Sequence, residues 1–225
     1  MYATKASSLP QKLTLAVAHL LAIVLMTWFL FGGGLAQVAG RWGWSAGNLT
    51  RRILLLVCAL VYFARLLATM FVFMKRRMAW SEALTIAVWL YFLYAIFTFA
   101  GGTNQAPVGP VAVLGLALFA LGSYLNTGSE YMRHIWKQRP ENQGKLYTQG
   151  LFHYSRHINY FGDVVLFTGF ALVAGRLIAL LIPALMLVFF AAFNVPGLDK
   201  YLAGRYGQAF DAYALKTKKL IPFIY

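Results

Sequence analysis

Acidic residues are what this chain lacks most. Six Asp and Glu stand against 20 Lys and Arg in 225 residues, and only 12% of the chain is charged. No acid occurs before Glu82. A soluble domain of this length carries about a quarter charged residues, so the chain is without the polar surface that a water-soluble fold needs. Cysteine is nearly absent too. The lone Cys58 excludes an internal disulfide and, inside an apolar run, reads as a small packing residue. Internal repeats, low-complexity tracts and linkers long enough to separate domains are missing. No metal site is expected.

What the chain has is hydrophobic length. Hydrophobic residues make up 60% of it, and the mean hydropathy is +0.65. Apolar runs cover residues 13–31, 53–73, 79–100, 108–125, 160–174 and 177–193. Each approaches the ~20 residues that cross a bilayer, although the fifth is short. A lipid-facing open sheet would leave backbone groups unpaired, which argues against strands. The first run is too long for a signal-peptide core, and Gly32-Gly33-Gly34 lacks a cleavage pattern, so a retained helix is expected. The expectation is an all-α, polytopic membrane helix bundle of about six transmembrane helices. It forms a single domain over residues 1–225, with a polar stretch at 126–159. Arg176, with Gly175 and Gly169, marks a tight reversal, and a tail of about 30 residues ends the chain.

The net charge of +14 does not point to nucleic acid, which would need a basic face on a soluble fold. Here the bases sit in short connections between apolar runs, as they do beside anionic membrane lipid. With the N-terminus inside, fifteen Lys and Arg, Lys5 and Lys12 among them, fall in inside segments. Arg41, Arg51, Arg52 and Arg176 fall outside, and Arg65 lies within the second run. This bias places both termini in the cytoplasm, and the polar stretch and the tail on that same face.

Some polar residues lie where hydrocarbon should be. Tyr62 and Arg65, three apart, share one side of the second helix, with Arg76 three turns further on. An arginine inside a membrane helix needs a partner or a wet cavity, and Arg65 is too far from the helix end to snorkel easily. His19 in the first helix reads as a packed histidine bonded to a backbone carbonyl. Asn126, Glu130, Arg133 and Lys137 form one helical stripe, within which Glu130 can pair with Arg133. Asn159 and Asp163 form a second amide–acid pair four residues apart. Such groups among cations suit a ligand with phosphates, amides and ribose hydroxyls.

Several segments resemble the membrane steroid 5α-reductases. They are Tyr62-Phe63-Ala64-Arg65 with Arg76, Gly122-Ser123-Tyr124-Leu125-Asn126 with Ser129 and Glu130, the segment from Gly150 to Asp163, and the tail from Phe210 to Tyr225. The resemblance runs from Tyr62 to the end and is strongest over residues 122–225. It implies NADPH-dependent reduction of a carbon–carbon double bond conjugated to a carbonyl, in a lipophilic, steroid- or isoprenoid-like substrate drawn from the bilayer. Family cofactor positions carry over to Arg76, Asn126, Glu130, Lys137, Lys145, Asn159, Asp163 and Tyr206. Lys137 and Lys145 keep a charge where the family more often has arginine, but they lose its bidentate fork. Tyr62 matches the family's proton donor, with Arg65 beside it. The animal enzymes add a glutamate to that tyrosine. This chain has no acid there, so Tyr62 would act with Arg65, His19 or water.

Arg156-His157-Ile158-Asn159-Tyr160 also resembles the Arg-His-Pro-x-Tyr pattern of isoprenylcysteine and phospholipid methyltransferases, which use S-adenosylmethionine. Isoleucine replaces the proline, and Leu198-Asp199 stands where those enzymes carry paired glutamates. The Asn126/Glu130 stripe and the Leu-Ile-Pro-Phe-Ile ending favour the reductase.

The charge bias makes a topological prediction. Cysteines introduced at Gln105 and Lys145 should label from opposite sides of the membrane. Labelling of both from the same side would exclude the six-crossing arrangement.

Overall fold

The computed structural model describes residues 8–225; Lys5, counted above as an inside cation, lies outside them. Regular structure among the described residues is helical, apart from one isolated parallel bridge between Ser155 and Lys218. The first helix, α1, is Leu9–Phe31, followed by a short α2, Gly34–Ala39. Helix α3, Leu49–Ala68, runs on through a π turn, Thr69–Phe73. Helix α4 is Trp80–Gly102. Helix α5, Pro110–Ser123, continues through the π turn Tyr124–Gly128 into α6, Ser129–Gln138. Helix α7 is Ile158–Ala174. Helix α8, Leu181–Phe189, passes through the π turn Phe190–Asn194 into α9, Val195–Tyr206, and α10 is Gln208–Lys216.

Among the described residues, five helical stretches are long and apolar enough to cross a membrane: Leu9–Phe31, Leu49–Phe73, Trp80–Gly102, Pro110–Gln138 and Leu177–Tyr206. The protein is an all-α, polytopic membrane bundle. The sixth expected span is the shorter α7. Its 17 residues reach roughly 26 Å at a rise of ~1.5 Å, against a hydrocarbon core of ~30 Å. Two helices outrun their apolar segments. The stretch read as polar from residue 126 stays helical to Gln138, and the tail begins as helix up to Tyr206. Hydropathy marks where side chains leave hydrocarbon, whereas a helix ends only where its backbone hydrogen bonds do.

The chain divides into two compact units. The first takes the chain up to Phe119 together with Thr168–Ile182. In it, α1 buries Leu15, His19, Ala22, Met26 and Leu30, a stripe at three- and four-residue spacing, while Val17, Leu20 and Val24 stay exposed on the opposite side. The buried stripe packs on α4, and Phe97 of α4 stacks on Phe170 with ring centroids 4.1 Å apart. Helix ends in this unit are closed by cations and amides. Arg52 donates to Leu30 O at 2.6 Å, and Lys12 to Met74 O at 3.2 Å. Buried Arg51 donates to Val173 O, Ala106 O and Pro107 O, and Asn104 donates to Ala174 O and Gly175 O. Gly175, at φ +72, makes the expected reversal. Gly169 does not belong to it; it lies inside α7, against Gly115.

The second unit holds Ala120–Phe167 and Pro183–Tyr225. Here Gly122 and Gly162 let two backbones meet: a Cβ on Gly122 would collide with Leu166 N and Gly162 O, and one on Gly162 with Asn126 N. Gly122→Ala should therefore cost about 1–3 kcal/mol by overpacking, read as a lower melting temperature in detergent. Gly197→Ala, at a helical glycine with nothing near its Cβ position, should not lower it. Equal melting of the two variants would contradict this close approach.

Candidate functional site

The expected site residues fall in both units. In the first unit, Tyr62 and Arg65 of α3 do share a face: the Arg65 guanidinium lies 6.0 Å from the centroid of the Tyr62 ring. Arg65 is buried and Tyr62 half-buried. His19 of α1 is fully buried and packs on Tyr62, with ring centroids 5.3 Å apart, and edge-on to Phe63 at 5.0 Å. Its hydrogen-bond partner is not the expected backbone carbonyl. His19 Nε2 and the phenol oxygen of Tyr94, on α4, lie 2.7 Å apart. Tyr94 is a component that sequence reasoning missed, because nothing local ties it to a histidine 75 positions away.

Arg76 departs from expectation as well. It does not continue the second helix, because Met74 turns the backbone to an extended conformation. Arg76 sits in the linker before α4 and makes a two-pronged ion pair with Glu82 in the first turn of that helix. Glu82, the first acid of the chain, also lies where a helix N-terminus favours negative charge.

The remaining positions lie in the second unit, and a connected polar chain joins several of them. Arg133 pairs with Glu130 on α6, as its spacing suggested. The Asn159 amide, in the first turn of α7, donates to Glu130 Oε1 at 3.0 Å. The Asn126 amide donates to Asn159 O at 3.0 Å. Asn126 and Glu130, the first amide–acid pair read from the sequence, thus both meet Asn159 of the second pair across helices. Asn126 belongs to the π turn Tyr124–Gly128, and Ser129 Oγ donates to Asn126 O at 2.8 Å. Glu130 is buried, Asn126 and Asn159 are half-buried, and Asp163, one turn beyond Asn159, is half-buried too. An aromatic base supports the chain: Phe152 and Tyr147 are buried in one cluster, and Arg133 lies 5.3 Å from the Phe152 ring centroid. Lys137 approaches Tyr206 at 3.4 Å from ammonium to phenol. Lys145 is exposed, just past a 3-10 turn at Pro140–Asn142.

The segment after Gly150 and the tail form one clamp. Arg156 N and His157 N donate to Lys218 O and Lys219 O at 2.9 and 3.1 Å, and Ser155 Oγ donates to Leu220 O at 2.8 Å. Arg156 also donates to Ala214 O and Thr217 O. Asp199 on α9 accepts from Arg156 at 2.9 Å and pairs with His157 Nε2 at 2.8 Å. The Tyr213 phenol donates to Phe152 O, and burial pushes its pKa well above the ordinary tyrosine range, so it stays a donor. Removing the carboxylate with Asp199→Ala strands a buried guanidinium, a change worth about 3–5 kcal/mol. We expect faster tryptic cleavage after Lys216, Lys218 and Lys219. Unchanged cleavage would mean that the ion pair does not hold the tail.

Residues 16–217 match the family described as "Protein of unknown function (DUF1295)". The chain is 29% identical over 191 residues to 3-oxo-5-alpha-steroid 4-dehydrogenase 1 of Rattus norvegicus, covering 79% of this chain and 69% of that one. It is 33% identical over 113 residues to 3-oxo-5-alpha-steroid 4-dehydrogenase 2 of Homo sapiens, covering 50% and 42%. It is 36% identical over 107 residues to the probable O-methyltransferase ustE of Ustilaginoidea virens, covering 47% and 37%. The match thus spans less than half the length of the last two relatives. With its matched region reaching from α1 into the tail clamp, the chain belongs to the DUF1295 family, a steroid 5-alpha-reductase-like family.

Proposed function

We propose that this membrane protein is an NADPH-dependent reductase of a carbon–carbon double bond conjugated to a carbonyl, acting on a lipophilic, steroid- or isoprenoid-like substrate that enters from the bilayer. The observation that carries the reading is the interlocked chain Asn126–Asn159–Glu130–Arg133. Three of its residues, Asn126, Asn159 and Glu130, stand at positions that the reductase resemblance assigns to cofactor binding, and Arg133 pairs with the last of them. The donor set of the second unit fits a dinucleotide: Lys137 and Lys145 can neutralise phosphates, while Glu130, Asp163 and the two amides can meet ribose hydroxyls and an amide. When bound, NADPH supplies a hydride. The protein's own part in the chemistry falls to Tyr62, whose phenol donates to the carbonyl oxygen as negative charge grows there. Arg65, beside that ring, favours the developing charge. Both termini and the cationic stretch would face the cytoplasm, with a bacterial inner membrane as the setting.

A second reading, an S-adenosylmethionine-dependent membrane methyltransferase, draws on the similarity to a probable O-methyltransferase and on the Arg156–His157–Asp199 cluster. Titration of the detergent-solubilised protein separates the two. NADPH should raise its melting temperature and S-adenosylmethionine should not. Asn159→Ala and Asp163→Ala should each weaken NADPH by about 1.5–3 kcal/mol, as for hydrogen bonds to charged groups. Tyr62→Phe should bind NADPH as the parent does, yet lose about 10²–10³-fold in turnover of an enone, as when one oxyanion donor is removed. Stabilisation by S-adenosylmethionine without an NADPH response would select the methyltransferase.

A further inference from the structure

His19 carries an unmet hydrogen-bonding atom in the middle of a membrane helix. The side chain is fully buried and belongs to the buried stripe of α1. Its Nε2 is engaged with the Tyr94 phenol, but its Nδ1, also buried, has no hydrogen-bond partner among the described residues. A polar atom in hydrocarbon is normally satisfied, because no water is there to replace a missing partner. Intramembrane ionisable residues, for the same reason, tend to mark ligand or ion sites.

The neighbours settle which atom is on offer. Tyr94 has one phenolic hydrogen and two acceptors near it: His19 Nε2 at 2.7 Å and Ala59 O at 3.4 Å. A phenol is the stronger donor of the pair, and a neutral imidazole nitrogen is a good acceptor. The hydrogen therefore goes to Nε2, and the imidazole keeps its own hydrogen on Nδ1. The ring lies against Tyr62, which is half-buried, with centroids 5.3 Å apart.

We propose that His19 Nδ1–H, fixed in that tautomer by Tyr94, is the hydrogen-bond donor that anchors the oxygen of a lipophilic ketone or alcohol between α1, α3 and α4. The role is recognition, with no proton transferred to the ligand. It deepens the reductase reading by naming the group that holds the substrate oxygen, but it rests on its own geometry and stands for any apolar ligand bearing one oxygen.

The test uses the full chain in lipid nanodiscs. Nitrogen-15 spectra of histidine-labelled protein, with His19 assigned by its loss in His19→Phe, should show hydrogen on Nδ1; Tyr94→Phe should abolish that single tautomer. Wild-type protein holding the hydrogen on Nε2 overturns the proposal without any variant. For recognition, the probes are 4-cholesten-3-one and the matching hydrocarbon without oxygen. Wild type should prefer the ketone by about tenfold, the worth of one buried hydrogen bond. His19→Phe should erase the preference while keeping hydrocarbon affinity, and Tyr94→Phe should reduce it. No ketone preference in wild type, or a preference that survives in His19→Phe, overturns the proposal. NADPH titration of the same samples keeps the two readings apart: a ketone preference that depends on His19 in a protein that does not bind NADPH sustains this site and removes the reductase.

Discussion

The last carbonyls of a helix that ends in or near hydrocarbon have no water to bond to, and each one left open costs several kcal/mol. Much of this protein is organised around meeting that requirement with cations. Arg52 closes α1 at Leu30, Lys12 closes the π turn after α3 at Met74, and Arg51 reaches Val173 near the end of α7. Arg156 caps Ala214 and Thr217 near the end of α10 in the same manner, beyond the candidate membrane spans. Lys12, Arg51 and Arg52 thus find acceptors in a chain that has 20 Lys and Arg against six acids. Backbone carbonyls take the place of carboxylates as acceptors, and a cation near a helix C-terminus also meets the negative end of the macrodipole.

The same requirement limits what composition can reveal. Arg51 and Arg52 read as topological signals, because both lie between apolar runs. The structure uses them as caps as well, and a count of charges cannot separate the two uses. The apolar runs gave the helices in correct order, since burial and lipid contact both demand them. They misplaced ends at residues 126 and 193, where the backbone continues helically past the last apolar side chain. Arg76 was misread for a related reason. Extending the second helix through it assumed unbroken backbone hydrogen bonding, and the extended Met74 ends that.

Within the second unit, helical spacing was a sound guide to neighbours on one helix and silent about neighbours on different helices. The Glu130–Arg133 pair follows from a separation of three residues. The Asn159–Glu130 bond, between residues 29 apart, has no local signature. It depends on Gly122 and Gly162, which bring their two helices into backbone contact. The two reductase-like segments, one after Gly150 and one at the tail, are each weak as motifs. Their hydrogen-bonded clamp gives a physical reason for them to occur together: a change in either loses partners in the other.

The polar groups singled out as site candidates meet two kinds of surroundings, and that difference constrains what each can recognise. Lys137 and Lys145 are exposed, and the Asn159–Glu130 chain is only partly covered. Such groups discriminate by charge and hydrogen-bond pattern, which suits a water-borne anion. His19, Tyr94 and Arg65 are buried among apolar neighbours. There a single hydrogen bond has little competition from water, so one donor can distinguish an oxygen-bearing ligand from a hydrocarbon of the same shape. A reaction joining a charged, water-soluble partner to a lipophilic one would call on both kinds of environment. Both kinds of environment occur among the described residues of this protein.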